Sequence, residues 1–157
     1  MPAETFCDIG IFDLVRDARL GNTSSCDLTI ELTETDLIER YDEAEEFATR
    51  AILNGFHLSI DDFGTGHSSL ERLRKIPFDE LKLDRAFVTG SGSDAALEGI
   101  CRSSVALAHS LGAKIVAEGV ETDQDLQAVD LCEFDIAQGY GIAKPQPLDI
   151  FLKQLAA

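Results

Sequence analysis

The chain has 157 residues, 45% hydrophobic and 27% charged, the balance of one globular domain with a core rather than of a disordered segment. Thirteen Lys and Arg against 29 Asp and Glu leave a net charge of −16, a field that repels phosphate backbones and argues against general DNA or RNA binding. No apolar run approaches the ~18 residues needed to cross a bilayer, and no export signal opens the chain, so a cytoplasmic protein without a membrane segment is expected.

In chain order, residues 1–26 present Ile11, Leu14, Val15 and Ala18 as one helix face, followed by a Gly-Asn-Thr-Ser-Ser loop at 21–25. From residue 27 a different grammar repeats: a short β-branched or apolar run ends in an acid, and an amphipathic helix follows. The runs 28–31, 58–62, 81–84, 115–118 and 136–138 read as buried parallel strands. Asp36 with Glu39 resembles a capping box, after which Leu37, Tyr41, Ala44, Ala48 and Ile52 recur at helical spacing until Asn54-Gly55. Ser68 with Glu71 marks a second helix, with Leu70 and Leu73 on its buried face and Pro77 beyond it. A third helix covers about 94–111, with Leu97, Ile100, Ala108 and Leu111 in phase. A fourth begins near Thr122, and a fifth follows Pro147 with Ile150, Phe151 and Leu155. The four cysteines, Cys7, Cys26, Cys101 and Cys132, form no C-x-x-C pair and read as reduced thiols.

Alternating strands and helices mean an α/β fold with a parallel sheet. A doubly wound sheet would carry a glycine-rich phosphate loop after its first strand, whereas a (β/α) barrel gathers functional residues at many strand ends at once. Four successive strands here end in acids, the fifth ends in Gln138, and no G-x-G-x-x-G follows the first. A partial TIM-type barrel of about five parallel strands is therefore expected, since a closed eight-stranded barrel takes ~250 residues.

Parallel strands deliver their last residues to one rim, so Glu31, Asp61, Asp62 and Glu118 should converge. Clustered carboxylates stay ionised only around something positive, and hard divalent cations such as Mg2+ or Mn2+ favour oxygen ligands of this kind. A pair of such ions clamps a phosphodiester and activates the water that attacks it. A lone acid closing a strand is more commonly a helix cap; four at once, one of them a doublet, are harder to explain that way. Lys82 lies two residues before Asp84, placing both on one side of their strand, where the lysine either stabilises phosphate charge or pairs with an acid. Gly64-Thr65-Gly66 offers backbone amides to an anion, and His57, His67 and His109 read as structural or surface residues.

At these residues the sequence closely resembles the EAL family of cyclic-di-GMP phosphodiesterases. The matching blocks are Glu31-Leu-Thr-Glu34, Asp61-Asp-Phe-Gly-Thr-Gly66, Lys82-Leu-Asp84, Ala117-Glu-Gly-Val-Glu121, Gln138-Gly-Tyr140 and Lys144-Pro-Gln-Pro147. The resemblance implies a (β/α)8 barrel with one antiparallel strand and hydrolysis of cyclic-di-GMP to pGpG at two Mg2+ or Mn2+ ions. It makes Glu31, Asp61, Asp62 and Glu118 metal ligands, with Asp61 bridging, and gives Lys82 the attacking water. Gln138 would support the site or substrate, Glu34 would steady the Asp-Asp-Phe-Gly loop, and Glu121 and Asp84 would support from behind. His67 stands where the family more usually has tyrosine.

The chain contains no Glu-Ala-Leu tripeptide, and the asparagine-bearing strand that follows it in the family has no counterpart. The resemblance thus covers roughly the last five βα units, over residues 27–157, preceded by a helix and loop at 1–26. Two functions remain open: a phosphodiesterase, slow or inactive without those segments, and a non-catalytic module binding cyclic-di-GMP or a protein. A Mg2+-dependent enolase-like barrel is a distant third. Five strands cannot close, so both edge strands should be open and apolar on both faces, favouring a homodimer or higher oligomer covered in part by the Ile11, Leu14 and Val15 face.

Overall fold

The computed structural model describes residues 28–66 and 70–155, so the expected N-terminal helix, Ser68, His67, Cys7 and Cys26 lie outside the described residues. Five strands, β1 (Thr29–Thr33), β2 (His57–Phe63), β3 (Glu80–Leu83), β4 (Lys114–Ala117) and β5 (Ile136–Ala137), form one sheet. They pair in chain order, β1-β2-β3-β4-β5, and every pairing is parallel. The order never reverses, so the sheet has no switch point. Right-handed crossovers then stack successive helices on one face, the winding of a barrel and not of a doubly wound sheet.

The two faces of the sheet differ in chemistry. One carries Leu32, Leu58, Ile60, Leu81, Leu83, Ile115 and Ala117, all fully buried. Against it pack α1 (Glu34–Glu39), α2 (Tyr41–Leu53) and α5 (Ala95–Ser110), contributing Leu37, Phe47, Ala48, Cys101, Val105 and Ala108. The opposite face is polar. There the cross-strand partners run Glu31 to Ser59, Ser59 to Glu80, Glu80 to Lys114, and Lys82 to Val116. For β1 the expectation of a strand apolar on both faces is thus corrected, because alternation across β1, β2 and β3 brings Glu31, Ser59, Asp61, Glu80 and Lys82 to this face, whereas β5 is apolar at both of its positions.

Caps set the helix starts. Thr33 closes β1 in extended geometry and accepts the amide of Asp36, whose carboxylate accepts the Thr33 amide in return. Asp36 therefore closes a capping box at the third helical position and does not open one. Thr122 and Asp125 repeat the device at α6 (Asp123–Leu131). The segment α3 (Leu70–Leu73) makes a single turn, and a single turn fixes one anchor: Leu73 is buried while Leu70, expected beside it, is 60% exposed. The short α4 (Arg85–Val88) had no periodic signal because four residues show no period. In α7 (Leu148–Leu155), Leu148, Ile150, Phe151 and Leu152 all stand exposed.

Two histidines find a shared explanation at the N-terminal end of the sheet. The Asp79 carboxylate accepts the Leu58 amide at 2.9 Å, the Asp79 amide donates to the Leu58 carbonyl at 2.8 Å, and His57 Nδ1 lies 3.3 Å from the carboxylate. Asp135 does the same around Ile115, at 2.8 and 3.2 Å, with His109 Nε2 at 2.9 Å. The Ile115 amide, then burial, then His109 act on Asp135, and the net effect holds its carboxyl below the usual range. A depressed carboxyl contributes stability above its unfolded value that is lost as pH falls through the folded one. No helix among the described residues is long and apolar enough to cross a membrane.

Candidate active site

At the C-terminal rim of the sheet four elements meet around one lysine. Lys82, within β3, is 4% exposed. Its Nζ donates to Glu31 Oε1 of β1 at 2.9 Å, to Asp61 Oδ1 of β2 at 3.0 Å and to Glu118 Oε1 just past β4 at 2.7 Å. Burial pushes the ammonium down, but hydrogen bonds to Glu118, Glu31 and Asp61 outweigh it and hold the group above its usual value. Lys82 is therefore a permanent cation at neutral pH and cannot serve as a base.

The doublet is made by a kink. Strand alternation alone would turn Asp61 and Asp62 to opposite faces. Between Ile60 and Phe63 the pairing with β3 slips, and Asp62 takes a left-handed φ of 57°. Carboxylate oxygens of Asp61, Asp62 and Glu118 then all lie within 4.8 Å of one another, a donor set able to hold a metal ion. Burial, then the charges of Asp61 and Asp84, pushes the Asp62 carboxyl up. Burial also raises Glu118, more than Lys82 lowers it, with Asp61 and Asp62 adding to the rise. Two carboxyls pushed up in this way beside a third acid are what a hard cation would relieve. The donor set fits such an ion.

Glu31 stands apart from that trio: its side chain is 54% exposed and it joins the cluster through Lys82. Glu34, only 3% exposed, accepts the amides of Gly64 and Gly66 at 2.8 and 3.0 Å. The amides of that loop do face an anion, and it is the protein's own. Asp84 sits just beyond β3 as the cap of α4, accepting the Ala86 amide at 2.8 Å, and its carboxylate acts on the neighbouring Asp62. The strand ends before Asp84, so the spacing of two no longer fixes its side.

Beside the trio opens a cavity of about 360 Å³, lined by Asp62, Asp84, Glu118 and Glu121 together with Gln138 and Arg85. Gln138 reaches it because its amide continues the ladder to the Ala117 carbonyl at 2.8 Å, directly past β5. Tyr140 also borders the cavity, and Lys144 lies over its ring at 6.0 Å. Arg85 and the ring of Tyr140 carried no signal in the spacing of acids. What points to Arg85 in the sequence is its place directly after Lys82-Leu-Asp84.

The EAL domain family model matches residues 1–145. Among curated relatives, the cyclic di-GMP phosphodiesterase RocR of Pseudomonas aeruginosa is 44% identical over 124 residues, covering 78% of this chain and 31% of RocR. The cyclic di-GMP phosphodiesterase NbdA of the same organism is 39% identical over 139 residues, covering 88% of this chain and 18% of NbdA. The chain thus spans a third or less of these relatives. Among solved structures, the MucR phosphodiesterase of P. aeruginosa in complex with c-di-GMP superposes with a TM-score of 0.86 at 34% identity, covering 96% of this chain and 62% of that one. A calcium/c-di-GMP complex of Klebsiella pneumoniae BlrP1 gives 0.74 at 29% identity, over 82% and 33%. Five parallel strands in unbroken order, acids gathered on their C-terminal rim and a match over nearly its whole length make this chain a member of the EAL domain family.

Proposed function

We propose that the chain is a cyclic-di-GMP phosphodiesterase module, hydrolysing its substrate to pGpG with Mg2+ or Mn2+. The observation that carries this is the trio of Asp61, Asp62 and Glu118 within 4.8 Å, bordered by a buried lysine. Cations held there, with Asp61 shared and Glu31 recruited, would supply Lewis-acid polarisation of the scissile phosphodiester. The protein's own part is positional. Lys82, always charged, opposes charge on the phosphoryl oxygens, and by exchanging one of its three carboxylate bonds for the attacking water it would orient that water. Glu34 fixes the 64–66 loop so that Asp61 and Asp62 keep their kinked geometry. Gln138 and Glu121 hold the substrate from the cavity wall. The free, buried thiols Cys101 and Cys132 agree with work in the reducing cytoplasm.

These 157 residues contain no Glu-Ala-Leu tripeptide. With fewer charged ligands, turnover is expected to fall about 10²-fold or more below that of a complete barrel. Chromatography of cyclic-di-GMP incubated with the chain and Mn2+ should show slow, Mn2+-dependent pGpG formation that stops in Asp61→Asn. A rate equal to a complete barrel's would contradict this. The second reading, a non-catalytic cyclic-di-GMP-binding module, has one observation behind it: Glu31 lies outside the donor trio. Tight binding with no product under any metal would favour it.

The same reading extends to assembly as a homodimer or larger oligomer. Among the described residues β1 and β5 are the sheet edges, and edge backbone groups can template further pairing. The exposed Leu148, Ile150, Phe151 and Leu152 of α7 add apolar area worth ~25 cal/mol per Å2 on burial. Light scattering over a dilution series should report at least twice the monomer mass; a monomer at all concentrations would refute it.

A further inference from the structure

The cavity beside the acid trio poses an electrostatic problem. Four of its walls are carboxylates, from Asp62, Asp84, Glu118 and Glu121, while Lys82 lies below with all three of its bonds committed. A cyclic dinucleotide brings two phosphodiester groups. Cations over the trio can neutralise one of them, and without Arg85 the other would meet four carboxylates and no positive group on the cavity wall. Among the described residues Arg85 is the one basic residue on the cavity wall.

Its setting joins a fixed root to a free head. Gly119 takes a left-handed φ of 68°, and a Cβ there would fall 2.4 Å from Arg85 Cβ. Only glycine lets the loop after β4 press against the first residue of α4, so the Arg85 backbone is locked at the rim. The Arg85 side chain is 67% exposed, and its ion pair to Glu121 is long at 3.9 Å with both partners in solvent. Such a pair is worth little, so the head can leave it at small cost. A planar fork of donors suits a phosphodiester better than a point charge does.

We infer that Arg85 is a substrate-binding residue that holds the phosphodiester not undergoing cleavage, with Glu121 as its resting partner. The inference rests on the phosphodiesterase reading above. Calorimetric titration of cyclic-di-GMP in Ca2+ tests it on the wild-type chain, Arg85→Met and Arg85→Lys, alongside Mn2+ titrations without nucleotide. Arg85→Met should weaken the dinucleotide about tenfold or more, the cost of losing a charge-assisted bond. Arg85→Lys should recover part of that, and the affinity of Arg85→Met should depend less steeply on salt. Mn2+ affinity should be the same in all three. Wild-type dinucleotide affinity in Arg85→Met would overturn the assignment, as would a parallel loss of Mn2+ affinity, which would make Arg85 a support for the acids. A wild-type chain that binds Mn2+ but no dinucleotide would instead overturn the phosphodiesterase reading, and the inference with it.

Discussion

Replacement of Lys82 by methionine is expected to destabilise the metal-free chain by about 3 kcal/mol at neutral pH, at the low end for breaking a buried ion pair because all three carboxylate partners keep partial contact with water. The side chain is 6% exposed, and the carboxylates it joins range from 18% for Glu118 to 54% for Glu31. Methionine fills most of the volume but leaves Asp61 and Glu118 facing each other without a cation. The pH dependence follows from the directions of shift. A lysine raised in the folded state contributes stability throughout the range below its unfolded value, so the wild type keeps that contribution at pH 5 and at pH 7. Glu118, already raised, rises further without Lys82, and a raised carboxyl favours the fold only where it is protonated. The deficit of Lys82→Met should therefore shrink on going from pH 7 to pH 5. Thermal unfolding in EDTA at both pH values measures it; an unchanged melting temperature at pH 7 would remove Lys82 from the centre of the site.

The sequence made the barrel's strands legible because each is a short apolar run closed by an acid, and those acids mark the rim whatever the exact strand bounds. Alternation was legible too, yet its consequence for the open sheet was not drawn from it: Glu31, Ser59, Glu80 and Lys82 sit at alternate positions and make one face polar. The convergence of Asp61 with Asp62 depends on a left-handed residue and a slip in pairing, which no spacing rule announces. Asp84 lies one residue past the end of β3, where it caps α4 while still bordering the cavity. The anion facing the Gly64 and Gly66 amides is Glu34, 30 residues or more away in sequence, a contact that only the pairing of β1 with β2 creates. Arg85 escaped notice because its meaning comes from Gly119 on another loop.

The largest functional effect is expected at Asp61, whose carboxylate, like that of Glu118, belongs both to the donor trio and to the Lys82 cluster. Asparagine keeps its size and one oxygen but removes the charge. Weakening a residue that merely supports a ligand costs metal proteins about 10–100-fold in affinity, and a direct ligand should cost at least as much. The strand itself should survive, since Asp61 sits 22% exposed at the rim and the core beneath it is made by Leu58 and Ile60. Calorimetric titration of Mn2+ into the wild-type chain and Asp61→Asn, both checked for equal melting temperature, is the direct test of a cation site built from these acids. Saturable uptake by the wild type, weakened tenfold or more in Asp61→Asn, is the predicted result; superimposable titrations would contradict it.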